Sequence, residues 1–187
     1  MKCPSGCRTH RRRHDLWSDR PPAIWGGTID FRRSTDNPPA VRNRFDRWWD
    51  TLCRQHGLDP RSQFSGDVGN HAVEMVKNAL RSADHASVRA LVRPDFVEVV
   101  VIDDGEGIAD PREVMLISLG GGRGLRNAIE FSDWFSLESR SRRWEKVSRH
   151  GPLRKFGASE ITTGTRIDLV KLRPRRPPPA RARIPGT

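Results

Sequence analysis

The spacing of hydrophobic residues along this chain changes period several times, and each change marks an element. Val41, Phe45, Trp48, Trp49 and Leu52 recur at helical spacing with arginines and aspartates between them. That pattern predicts an amphipathic helix opened by Pro38-Pro39 in its first turn and ended by Gly57. Val68, Ala72, Val76, Ala79 and Leu80 predict a second helix, from Asp67 as N-cap to about Ala83. The period then shortens. Residues 88–92, a Pro94-Asp95 turn and residues 96–102 read as a β-hairpin. Its second strand, rich in valine at 97 and 99–101, has too few polar positions for a surface strand, so it is expected to be central in an antiparallel sheet and covered on both faces.

Shorter elements frame these. Residues 28–32 fit a short edge strand, 109–119 a loop with one short helix, and 123–131 a helix entered from Gly120-Gly121-Gly122. Residues 135–139 and 166–172 fit strands, the second entered through Thr163-Gly164-Thr165. Between them the chain turns basic, and 144–149 and 153–156, joined by a Gly151-Pro152 turn, predict an inserted hairpin over about 140–163. The expected organisation is a basic leader at 1–27, one domain at 28–172 and a Pro/Arg tail at 173–187, both ends lacking the pattern of a packed core.

Composition sharpens this division. Of 34 Lys/Arg and 23 Asp/Glu, residues 1–50 hold 11 and 6, and residues 171–187 hold 6 and none, so the whole net charge of +11 (5 + 6) belongs to the ends. Such ends attract anionic partners, but no groove-reading element accompanies the charge, so nucleic acid is not the expected partner. No apolar run approaches the ~20 residues a membrane span needs, and the N-terminus lacks the apolar core of a secretory signal, so a cytoplasmic protein without a membrane segment is expected. Three cysteines make no disulfide framework. Cys3, Cys7, His10 and His14 have the residue types of a zinc site, although only two residues separate the middle pair, which cramps tetrahedral closure.

Four short motifs carry candidate chemistry. The central strand ends in Asp103-Asp104-Gly105-Glu106-Gly107-Ile108, delivering a carboxylate followed by backbone that can lie close against a ligand. Glu74 and Asn78, one helical turn apart, project from one face beside the buried stripe; a solvated polar pair would look the same. The run Gly120-Gly121-Gly122-Arg123-Gly124-Leu125 opens a helix, which suits phosphate and equally a hinge. Gly164-Thr165 precedes the closing strand.

Taken in this order and spacing, the motifs resemble those of the GHKL family of ATP-binding domains, shared by gyrase-type topoisomerases, heat-shock chaperones, histidine kinases and mismatch-repair proteins. The resemblance covers about residues 28–172. It implies an α+β fold: a two-layer α/β sandwich, the Bergerat ATP-binding fold, with a mixed, mostly antiparallel sheet and helices on one face. It further implies ATP and Mg²⁺ as cofactors. Asn78 would ligate magnesium and Glu74 would act as base. Asp103 would accept the adenine amino group, with Gly105, Gly107 and Ile108 against the base. Gly120, Gly121, Gly122, Arg123, Gly124 and Leu125 would wrap the phosphates, and Gly164 and Thr165 would support the adenine contact. The chemistry agrees: a hard ion held largely by phosphates and water needs few protein oxygens, and phosphoryl transfer needs positioning and charge neutralisation, for which Lys77 and Arg123 are the nearest cations.

Within that family the chain looks most like the small stand-alone anti-sigma-factor and stress-switch serine kinases of bacteria. No two-helix region with a phosphoacceptor histidine is expected at 1–66, and no second domain is expected to deliver a lysine to the γ-phosphate. The resemblance implies a regulatory protein that phosphorylates a serine or threonine of a small protein partner. The inserted basic hairpin departs from that group and leaves two alternatives, an ATP-hydrolysing conformational switch acting with a partner and a non-catalytic nucleotide-binding module.

Overall fold

A computed structural model of the chain describes residues 26–116 and 122–174. The leader before residue 26, with Cys3, Cys7, His10 and His14, lies outside the described residues, as do Gly120, Gly121 and the tail from residue 175.

The first helix forms where its caps and apolar spacing agree. Strand β1 (Gly27–Arg32) leads to helix α1 (Pro38–Gln55). Asn37 caps α1 by accepting from the Ala40 N–H at 3.0 Å, and Pro38 and Pro39 fill positions whose N–H groups have no helical acceptor. Val41, Phe45, Trp49, Leu52 and Cys53 form its buried stripe, and Gly57, at φ 67°, follows its end. Helix α2 (Gln63–Ser82) starts earlier than the Asp67 cap read from the sequence. Ser62 is the cap instead: its hydroxyl accepts from the Ser65 N–H at 3.2 Å, and Asp67 lies inside the helix. Trp49 Nε1 donates to the Ser65 carbonyl at 3.0 Å, locking the two helices together.

The remaining elements are β2 (His85–Val92), β3 (Phe96–Asp103), α3 (Pro111–Leu116), α4 (Gly122–Phe131), β4 (Trp134–Ser139), β5 (Arg142–Lys146), β6 (Arg154–Ala158) and β7 (Thr165–Leu172). They build a seven-stranded sheet in the order β1-β2-β3-β7-β4-β5-β6. The fold is α+β, as the sequence reading expected, but every strand pairing is antiparallel where a mixed sheet was anticipated. Strands β5 and β6 pair as a hairpin that extends the sheet; their bounds differ from those expected because 147–153 makes the connection, closed by Gly151 N–H to the Ser148 carbonyl at 3.0 Å.

Alternation along the strands sorts the sheet's two faces. Val97, Val99 and Val101 of β3 join Ile167, Leu169, Phe135, Leu137 and Trp144 beneath α1, α2 and α4 in one core. On the opposite face Phe96 clusters with Leu91 and Val170, with Trp134 packed against them. Residues 96–101 are therefore buried on both sides, as their composition required.

Helix α4 is anchored from below. Lys146, 2% exposed, donates to the carbonyls of Ile129, Glu130 and Ser132, and Lys171 donates to the Phe131 carbonyl at 2.6 Å. Two cations thus sit at the negative end of the helix dipole, fixing the helix whose other end carries the glycine run. Among the described residues no helix is long and apolar enough to cross a membrane.

Candidate functional site

Asp103 is the last residue of β3, opposite Thr165 of β7 across the sheet. Its Oδ1 accepts two backbone N–H groups, from Gly105 at 3.0 Å and Thr165 at 3.1 Å. Oδ2 receives neither. Burial raises the Asp103 pKa above the ordinary carboxylate value, and the two N–H bonds oppose that rise. The adjacent acid plays a different part. Asp104 Oδ1 accepts from the Asp84 and His85 N–H groups at 3.1 and 2.9 Å, tying the loop to the start of β2.

Three glycines let the loops close around Asp103. Gly107 and Gly164 have φ of 78° and 74°, a region costly for other residues. A Cβ on Gly164 would fall 2.0 Å from the Asp103 carbonyl oxygen, and one on Gly107 2.4 Å from Ser139 Oγ. Gly164 N–H donates to the Gly105 carbonyl at 2.8 Å, so the two loops bond directly to each other. A Cβ on Gly105 would lie 3.1 Å from the Ser82 carbonyl at the end of α2. Ile108 packs against the main core and donates its N–H to Ser139 Oγ at 2.8 Å, while Thr165 is buried.

Helix α2 brings the polar pair to the same region. Asn78 lies one turn before Ser82, about 6 Å along the helix axis, and a Cβ on Gly124 would come 3.1 Å from Asn78 Nδ2 and 3.8 Å from Glu74 Cβ. The structure therefore places the start of α4 directly against Glu74 and Asn78. Lys77 pairs with Glu74, Nζ to Oε1 at 2.8 Å, with both side chains part exposed. Arg123 is exposed, Gly122 is the first residue of α4, and Leu125 packs into the core.

The sequence-derived residues thus fall into two groups joined by α2: Asp103, Gly105, Gly107, Ile108, Gly164 and Thr165 at its C-terminal end, and Glu74, Lys77, Asn78 and Gly124 one to two turns earlier. Ser139 escaped the sequence reading. It is wholly buried, and its hydroxyl accepts from Ile108 N–H and donates to the Gly164 carbonyl at 2.7 Å. The only signal for it was a serine at an inward position of a strand otherwise filled by Phe135 and Leu137. Among the described residues no cluster of three or more His, Cys, Asp or Glu side chains could hold a metal ion.

No family model and no curated protein matches this chain. Among solved structures it is similar to the 43K ATPase domain of Thermus thermophilus gyrase B, in complex with an aminocoumarin. The match has 21% identity, covers 73% of this chain and 39% of that one, and has a TM-score of 0.33. This chain spans about two-fifths of the length of that structure.

Proposed function

We propose that this chain is a Mg²⁺-dependent ATP-binding module of the GHKL type. One observation carries the reading: two glycine loops close on Asp103 so that Oδ1 accepts the Gly105 and Thr165 amides, with the Thr165 hydroxyl also bonded to the carboxylate, while Oδ2 takes neither amide bond. An exocyclic amine is the complementary donor, and adenine supplies one. Gly105, Gly107 and Ile108 line the base, and Thr165 holds the carboxylate in place.

The residues present fit ATP and magnesium. Gly124 leaves space beside Asn78 that a Cβ would fill, and an amide oxygen suits a hard cation that keeps most of its shell in phosphate and water. Asn78 would hold the ion, and the backbone of Gly122 and Gly124 at the start of α4 would receive phosphate oxygens. Magnesium supplies neutralisation of the charge on the transferring phosphoryl group. Lys77 orients Glu74 through their 2.8 Å pair, which leaves the second carboxylate oxygen of Glu74 able to take the proton of an attacking hydroxyl. Arg123 adds positive charge at the same end.

As a finer reading, the hydroxyl belongs to a serine or threonine of a protein partner, making the chain a stand-alone regulatory kinase. Hydrolysis with conformational switching is the second reading, favoured by the contacts between the inserted hairpin and the Asp103 loop.

The test uses γ-labelled ATP with Mg²⁺ and the wild-type and Glu74→Gln chains. Both should bind ATP, and only wild type should transfer label to a partner or release phosphate. Equal turnover by the two chains would remove Glu74 from the chemistry; no ATP binding by the folded wild type would remove the reading altogether.

A further inference from the structure

The inserted hairpin, which the proposed chemistry does not use, is fastened at its root to the candidate base loop. Ser139 and Arg142 face each other at the junction of β4 and β5, so Arg140 and Ser141 form a two-residue turn. Both have left-handed backbones, at φ 48° and 57°. Turns of this length favour that conformation and are usually filled by Asn, Asp or Gly, because larger side chains are strained there.

The strained turn is held on both sides. Toward the hairpin, Ser141 N–H donates to the Ile161 carbonyl at 2.7 Å, and Ser159 N–H donates to the Ser141 carbonyl at 3.1 Å. Toward the site, Arg140 Nε donates to the Glu106 carbonyl at 3.0 Å and Arg142 Nη1 to the Ala109 carbonyl at 3.3 Å. Ser139 joins Ile108 N–H to the Gly164 carbonyl. Backbone polar groups of residues 106, 108, 109 and 164 are therefore all taken by three residues of one turn. Strain that persists at such a place points to a functional constraint.

We propose that the β4–β5 turn positions the base-binding loop: Ser139, Arg140 and Arg142 are positioning residues that set residues 105–109 for the adenine held at Asp103. This rests on the ATP reading above. It also makes the hairpin's root and the base loop one mechanical unit, so a partner that shifts the hairpin changes base affinity, and the nucleotide changes the partner's affinity by the same factor.

The test replaces the turn by the pair such turns prefer, Arg140→Asn with Ser141→Gly, in the full chain. Relief of strain should leave Tm unchanged or raise it by a few degrees. Loss of the arginine contact should speed amide exchange in residues 105–109 and weaken ATP binding by about three- to tenfold, the loss expected for one hydrogen bond. Binding of Mg²⁺ with inorganic tripolyphosphate, which meets only the Asn78 and Gly124 end, should not change. Ser139→Ala should act in the same direction on ATP. Unchanged exchange in the loop overturns the proposal, as does an equal loss of ATP and tripolyphosphate affinity. Failure of the wild type to bind ATP, seen before any variant is compared, would remove the nucleotide reading and this inference with it.

Discussion

Replacing Gly124 by alanine should move stability and nucleotide affinity in opposite directions. Gly124 is the third residue of α4 (Gly122–Phe131), where alanine is favoured over glycine by up to about 1 kcal/mol. The added Cβ would meet Asn78 Nδ2 at 3.1 Å, Met75 Cε at 3.7 Å and Glu74 Cβ at 3.8 Å. Only the first is tight, and a half-buried amide can give by the few tenths of an ångström required. The free protein should therefore gain stability, with a rise in Tm of about 2–4 °C for a domain of this size. The same methyl group occupies the space between α4 and Asn78, so MgATP affinity should fall at least about tenfold, or about 1.4 kcal/mol. Thermal unfolding with and without MgATP reads both effects in one series: a higher baseline Tm and a smaller ligand-induced shift. A raised Tm with an undiminished shift would refute the view that Gly124 and Asn78 flank a ligand. A lowered baseline Tm would refute the packing argument.

Other consequences concern what holds the scaffold. Lys146→Met leaves the carbonyls of Ile129, Glu130 and Ser132 without their ammonium donor; it should cost about 3 kcal/mol, seen as a shift of the denaturation midpoint, whereas an unchanged midpoint would show that water replaces the ammonium without loss. Burial lowers the His71 pKa, and its ring lies 4.4 Å from that of Phe131. The folded state thus binds fewer protons than the unfolded one, so stability is full above the unfolded value near 6.5 and declines as pH falls below it, by at most about 1.4 kcal/mol per pH unit for this one group. His71→Leu should remove that part of the slope in urea melts on either side of that value, and an unchanged slope would show that other groups carry it.

The elements that were legible in the sequence are those where one signal dominates. The helical stripe of Val41, Phe45, Trp48, Trp49 and Leu52 was legible from its period and the valines of β3 from their composition; all lie in the core except Trp48, which is half-buried and packs against it. The start of α2 was misjudged because Ser62 and Asp67 both have cap chemistry within a short span; Ser62 caps the helix where the Ser65 carbonyl also meets Trp49 Nε1, a contact no local pattern records. In the candidate site, the meeting of Asp103 with Gly105, Gly107 and Gly164 was legible because backbone geometry restricts residue choice there. Ser139, Arg140 and Arg142 were not. Their role comes from register, since β4 must pair with both β7 and β5 before its end meets the Gly107 and Gly164 loops. No local pattern records such a meeting.

The most direct test of the central claim is calorimetric titration of MgATP into the wild-type chain and into Asp103→Asn. Asparagine keeps an Oδ1 able to accept from Gly105 and Thr165, and it replaces Oδ2 by an amide that confronts the adenine amine with a second donor. It also removes a half-buried charge. Because burial raises the Asp103 pKa, stability of the wild type falls as pH rises from the unfolded carboxylate value through the raised one. The variant lacks that loss and should be at least as stable at neutral pH. The account predicts wild-type binding, a loss of about tenfold or more in the variant, and no loss of Tm. Undiminished binding by a folded Asp103→Asn chain would contradict it.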